Sequence, residues 1–179
     1  GLRSLQEKDN LSELAEILVK KKKQLSDLYK LNRAIILKIA PDLNDKELED
    51  IADIVTKNKL DGVIISNTTI SRKNLKDENG VNEKGGLSGK PLFKQSTLMV
   101  SKFYKLTNGQ IPIIGVGGID SAETAYTKIK AGASLIQIYT GIIYNGFNLV
   151  REINDGILEY LQKDGFDNIS QAVGTELYL

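Results

Sequence analysis

The sequence has no cysteine and no histidine among its 179 residues. The first absence excludes a disulfide, a thiolate metal site and a cysteine nucleophile. The second removes the commonest general base of enzymes that work near neutral pH. An excess of one charge is lacking too: 24 Lys and Arg against 23 Asp and Glu leave a net +1, which gives no electrostatic case for nucleic acid or an anionic membrane. No apolar run is long enough to span a bilayer, and no signal peptide or other targeting segment is visible. The chain opens on Gly1 and its single methionine is Met99, so we expect a piece of a longer protein. What is present, 41% apolar and 26% charged residues, is an ordinary globular composition with enough material for one sizeable core.

Residues 111–141 form the clearest unit. Residues 111–114 are a short apolar run with Pro112 near its start, suited to a strand buried on both faces. Gly115, Gly117 and Gly118 follow, and glycines there permit a sharp turn and close approach of backbone to a ligand. Asp120 with Glu123 is a capping-box-like start for a helix that keeps Ala122, Ala125, Tyr126 and Ile129 on helical spacing until Gly132, a natural C′ residue. Residues 134–138 read as the next strand, ending in Tyr139, Thr140 and Gly141. Isolated glycines would be explained by turn geometry alone. Three directly after a buried strand and before a capped helix leave free N–H groups beside a helix N-terminus, which is an anion site. The spacing is not that of a dinucleotide fingerprint, and residues 135–138 hold no Asp or Glu for a ribose. A β/α barrel, by contrast, carries a phosphate site in the loops after its last two strands.

The rest of the chain repeats this alternation. Asn10 and Glu13 read as an N-cap pair for a helix with Leu11, Leu14, Leu18, Leu25 and Leu28 on its buried stripe, and Lys20 to Lys23 as its solvated face. Residues 34–39 are a buried strand carrying Lys38 near its end. That lysine either snorkels to the rim or meets an anion there, and on a barrel the C-terminal end of a strand is the catalytic rim. Asn44 and Glu47 cap a helix with Leu48, Ile51, Ala52 and Val55 inward, and residues 63–65 are another buried strand, ending in Ser66, Asn67, Thr68 and Thr69. Those four polar residues serve either a solvated turn or a polar ligand at the rim. Residues 70–91 form a polar excursion too long for an ordinary connection; we expect a lid whose Gly85–Gly89 portion forms a binding turn. Residues 92–106 read as a helix with Leu98, Phe103 and Leu106 inward. Residues 147–162 read as another, with Val150, Ile153, Ile157, Leu158 and Leu161 on its core side, and a short turn over 170–173 follows. Four strands in strict alternation with helices define an α/β fold, and they amount to the C-terminal half of a TIM (β/α)8 barrel.

Several motifs, in order along nearly the whole chain, resemble those of the dihydroorotate dehydrogenase family, in its membrane-associated, quinone-using class. They are Gly1-Leu2-Arg3-Ser4-Leu5-Gln6, Lys38-Ile39-Ala40-Pro41-Asp42-Leu43, Asp61-Gly62 through Thr69, Gly85-Gly86-Leu87-Ser88-Gly89-Lys90-Pro91, the run from Ile111 to Gly118, and Ala131-Gly132-Ala133-Ser134 through Tyr139. The resemblance implies part of an FMN enzyme that oxidises dihydroorotate to orotate in pyrimidine synthesis and passes electrons to ubiquinone. It implies that Lys38 contacts the flavin ring, that Ser66 hydrogen-bonds the flavin, and that Ser88 and Gly89 line the cofactor site. Gly117, Gly118, Tyr139 and Thr140 would bind the FMN phosphate, and Asn67 and Thr68 the pyrimidine. The family's base is a serine in a Ser-Pro-Asn segment before the Gly-Leu-Arg motif, so this sequence supplies no catalytic residue and no metal ligand, and turnover by these residues alone is not expected. Quinone and membrane contacts would be made by an N-terminal region, at the mitochondrial inner membrane in a eukaryote. Two other readings stand beside this one: a phosphate-binding barrel of the isomerase or lyase kind, and a non-catalytic half-barrel that self-associates through its open sheet edges.

Overall fold

A computed structural model describes residues 4–73, 75 and 81–178. In chain order the elements are α1 (Lys8–Tyr29), β1 (Ile36–Ile39), α2 (Asp45–Lys57), β2 (Gly62–Ile65), a 3-10 turn (Lys90–Leu92) running into α3 (Phe93–Leu106), β3 (Ile113–Val116), α4 (Ala122–Lys130), β4 (Leu135–Gln137), α5 (Thr140–Asn145), α6 (Asn148–Asp164) and α7 (Ile169–Ala172). The four strands make one parallel sheet in the order β1-β2-β3-β4. Leu37 lies beside Val63, Val63 beside Ile113, and Ile114 beside Leu135. Each pair of neighbouring strands is joined by a helix, the connection that parallel strands require. Consecutive parallel units in chain order are the arrangement of a β/α barrel wall, as expected.

The main core lies between sheet and helices, where Leu11 and Ala15 of α1, Leu48, Ile51 and Val55 of α2, and Val100 and Phe103 of α3 close over Ile39, Val63, Ile65 and Ile113. Smaller clusters join α4 to α6 through Ile119, Ala125, Leu149 and Ile153, and to α7 through Ile129, Leu161 and Ala172. α2 begins as its sequence promised: Asn44 Oδ1 accepts from Glu47 N–H at 2.9 Å and the Glu47 carboxylate accepts from Asn44 N–H at 2.7 Å.

Six local expectations are corrected. α1 starts at Lys8, not after Asn10, whose amide instead donates to the Ser4 carbonyl at 2.9 Å. Leu18, Leu25 and Leu28 are exposed, because a helix of 22 residues outruns the 13-residue α2 that it packs on. The cap of α4 is the pair Ser121 and Thr124, one residue on from Asp120 and Glu123. The last residue of α3, Leu106, is exposed, and on α6 the buried stripe is Leu149, Ile153 and Leu161, with Val150 and Leu158 facing outward. Gly156 sets that rotation, since a Cβ there would come within 2.4 Å of the Ala122 Cβ, so α6 lies directly on the start of α4. Finally, β1 and β4 are outer strands among the described residues, and Ile36 (40% exposed) and Leu135 (61%) are open on one side. Most of the excursion over 70–91 is described, but residues 74 and 76–80 of the expected lid lie outside the described residues.

Candidate functional site

All four strands point the same way, so their C-terminal ends share one rim. Lys38 stands near the end of β1, Ser66, Asn67 and Thr68 follow β2, Gly117 and Gly118 follow β3, and Tyr139 and Thr140 follow β4. With Ser88 and Gly89 from the long excursion, all ten line a single cleft of about 230 Å³, completed by Leu92, Val116, Ile119, Gln137, Ile138 and Gly141. The ten residues that the resemblance assigns to flavin or pyrimidine are therefore in this cleft, whereas Thr69, Gly85, Gly86 and Gly115 are not among its lining. Through Ser88, Gly89, Gly118 and Thr140 it opens into a wider hollow of about 700 Å³ that reaches Asp120 and Tyr144.

The segment after β2 is strapped to both neighbouring strand ends: Asn67 N–H donates to the Ile39 carbonyl at 2.8 Å, and Ser66 N–H to the Val116 carbonyl at 3.1 Å. Ser66 is buried and its hydroxyl donates to the Asn67 carbonyl at 2.9 Å. Asn67 is exposed to the cleft. Its Oδ1 accepts from Thr68 N–H at 2.9 Å, which leaves the amide NH₂ as the end available to a ligand. Thr69 exchanges two backbone hydrogen bonds with Leu87, of 3.1 and 2.7 Å, and this bridge brings the Gly85–Gly89 turn back over β2. Gly86 has to be glycine, because a Cβ would fall 1.8 Å from Thr68 Oγ1. Asp42 anchors the same region by accepting from the Thr69 hydroxyl and from Ile70 N–H at 3.0 Å.

The glycine turn fits the same logic. Gly118 has φ +73°, and a Cβ on it would lie 2.7 Å from the Phe93 Cα, so the first turn of α3 sits directly beneath. Neither Gly117 N–H nor Gly118 N–H donates to the backbone carbonyl of a described residue. On the far side Thr140 Oγ1 and Ser88 Oγ are 2.9 Å apart, joining the rim of β4 to the Gly85–Gly89 turn. Asp120, displaced from the expected cap, pairs with Lys90 at 2.8 Å, and its carboxylate raises the Lys90 pKa. Lys38 is exposed and has no carboxylate partner among the described residues. Sequence reasoning missed the apolar floor of Leu92, Ile119 and Ile138, and also Gln137, which carry no local motif.

A parallel sheet of four consecutive β/α units, with its polar groups and a glycine turn gathered on the C-terminal rim, defines half of a ligand-binding β/α barrel. The model of the family described as Dihydroorotate dehydrogenase matches residues 1–161, and the chain belongs to that family. It is 49% identical over 170 residues to the Dihydroorotate dehydrogenase (quinone) of Brucella anthropi, covering 95% of this chain and 47% of that one. It is 48% identical over 169 residues to the protein of the same name from Bartonella tribocorum, covering 94% and 47%. A crystal structure of the Eimeria tenella enzyme in complex with ferulenol superposes with a TM-score of 0.92 at 39% identity, covering 98% of this chain and 50% of that one. The chain thus spans about half the length of the relatives it matches.

Proposed function

We propose that these residues form the C-terminal half of the catalytic barrel of an FMN-dependent dihydroorotate dehydrogenase, which oxidises dihydroorotate to orotate in pyrimidine synthesis and delivers the electrons to ubiquinone. The observation that carries this reading is the convergence of all ten residues on one cleft at the strand ends. The quinone-dependent naming of the relatives supports the choice of acceptor. We assign membrane and quinone contact to an N-terminal region, as the resemblance implies; among the described residues no helix is long and apolar enough to cross a membrane. The first matches are bacterial, so a mitochondrial location applies only in a eukaryotic host.

The residues fit the cofactor. The Gly117 and Gly118 N–H groups, which meet no backbone carbonyl of a described residue, and the Thr140 hydroxyl across the cleft are a donor set for a phosphate. FMN, when bound, supplies a two-electron acceptor for the hydride leaving the substrate. The chain's own groups do the rest. Lys38, which has no carboxylate partner among the described residues, presents a cation where negative charge develops on reduction, an electrostatic contribution. Ser66, held against the Asn67 carbonyl, fixes the backbone that faces the flavin. Asn67 offers its NH₂ to a pyrimidine carbonyl, and Thr68 stands beside it. The proton removed from substrate goes to a base supplied by the other half of the barrel.

The test is the visible spectrum of the complete enzyme. A flavin band that bleaches on anaerobic addition of dihydroorotate is the expected result. A colourless protein that turns over a phosphorylated sugar would replace this reading with that of an isomerase or lyase barrel.

A further inference from the structure

Among the described residues Lys128 is the only charged side chain in the buried set, with no exposed surface. It leaves α4 and runs between β3 and α3. A Cβ on Gly115 would lie 2.5 Å from its Cγ, its Nζ ends 2.6 Å from Ser96 Oγ, and the Phe93 ring centroid is 4.8 Å away. Ser96 Oγ is in turn 3.2 Å from the Gly117 carbonyl oxygen and 3.2 Å from that of Phe93. An ammonium can only donate, so Ser96 accepts from Lys128 and turns its own proton toward those carbonyls. Burying an ammonium without a carboxylate is costly where a methionine would fill the same space. A lysine kept there has work to do.

We propose that Lys128 and Ser96 are positioning residues of the glycine turn: the ammonium orients Ser96, Ser96 holds the Gly117 carbonyl inward against α3, and the Gly117 and Gly118 N–H groups are thereby aimed outward at a flavin phosphate. The proposal rests on the FMN reading of the cleft. It gives a reason for the sequence spacing, because Phe93 and Ser96 on the first turn of α3 are the residues directly under Gly118 and Gly117. Among the described residues no other titratable group meets this ammonium. α3 presents Phe93 and Ser96 to it, and Gly115 and Ala133 flank its stem. On α4 itself Lys130 pairs with Glu176, and Tyr126 donates to Asp164 of α6. At the rim Lys90 and Asp120 pair with each other. Burial pulls the Lys128 pKa down to about 7, so the charge behind the turn is present below that pH and fades above it.

The experiment compares FMN with riboflavin, which lacks the phosphate, as ligands of the flavin-stripped complete enzyme, by quenching of flavin fluorescence. In the wild type FMN binds more tightly. Lys128→Met and Ser96→Ala are each expected to shrink the ratio of the two dissociation constants about tenfold, the equivalent of one hydrogen bond to a charged group, with riboflavin affinity held within about twofold. The wild-type ratio should also fall from about pH 7 to about pH 9, above the second phosphate pKa of about 6, and stay level in Lys128→Met. Ser96→Ala removes one hydroxyl and keeps the test available if the lysine variant does not fold. A wild-type preference for FMN that survives both substitutions overturns the inference alone, as does equal weakening of both flavins. A wild type with no preference for FMN overturns the phosphate reading of the cleft and this inference with it.

Discussion

The carboxamide of Asn67 is divided between the chain and the cleft. Its oxygen caps Thr68 N–H at 2.9 Å, and its NH₂ faces the ligand side of an exposed residue. If Asn67 pairs with the substrate as proposed, Asn67→Ala in the complete enzyme leaves a pyrimidine carbonyl unpaired in a desolvated pocket at a cost of about 1–3 kcal/mol. That corresponds to a loss of roughly tenfold to a hundredfold in kcat/KM. The Gly117–Thr140 side of the cleft is untouched, so flavin content should be normal. A melting temperature that drops while kcat/KM stays at the wild-type value would mean that Asn67 serves only its own turn. Polar residues of this kind were legible in the sequence because they follow apolar strands directly, and parallel strands in alternation with helices bring such ends to one rim. The Lys128–Ser96 pair was not. Its partners are 32 residues apart on different helices, and their meeting depends on how α3 and α4 cross beneath β3. The cap of α4 was misread by one position for a related reason: Asp120 with Glu123 and Ser121 with Thr124 are both sound local pairs. In the fold Ser121 and Thr124 make the capping bonds, and Asp120 stands at the rim paired with Lys90.

At the scale of elements, Asp61 joins three. Its carboxylate accepts from Ile35 N–H at 2.6 Å just before β1 and from Lys22 of α1 at 2.7 Å, while its own N–H donates to the Ile35 carbonyl at 3.0 Å, one residue ahead of β2. The lysine run over 20–23 is thus a solvated face with one exception. Lys22 first, and then the Ile35 N–H, lower the Asp61 pKa from 3.8. A carboxyl whose folded pKa is depressed contributes stability that is fully present above the unfolded pKa and is lost as pH falls through the folded one. Both side chains are partly exposed, 20% and 33%, so the ion pair itself is screened and worth under about 1 kcal/mol. The larger part of the loss is the orphaned Ile35 N–H. Asp61→Ala in the complete enzyme should therefore cost about 1–3 kcal/mol at neutral pH, and in denaturant melts the gap to wild type should narrow in acid as Asp61 protonates, by the share its charge contributes, while the share due to the orphaned Ile35 N–H stays because a protonated carboxyl still accepts. A gap that persists unchanged in acid would assign the loss to the orphaned N–H and packing alone. Helices with short partners were the least legible elements. The apolar periodicity of α1 runs its full length, yet only the part lying on α2 is buried.

For the molecule as a whole the open question is the two outer strands. β1 and β4 each pair on one side only among the described residues, and apolar Ile36 and Leu135 are exposed there. A closed barrel has no edges, and its usual length of about 250 residues exceeds what four units provide. The matching relatives are about twice as long, with this chain covering 47% of the Brucella anthropi protein. Alternation of strand and helix made the half-barrel readable, but periodicity gives no sign of which strands end a sheet. A polypeptide of residues 1–179 by itself should accordingly behave as an unclosed sheet. On a sizing column its elution should shift to larger species as concentration rises, FMN should bind weakly, and dihydroorotate oxidation should stay at background, because on the proposed function the base and the rest of the site come from the other half of the barrel. A preparation confirmed by intact mass as these residues, running as a concentration-independent monomer with measurable turnover, would show that the four units close their own edges and hold a complete site.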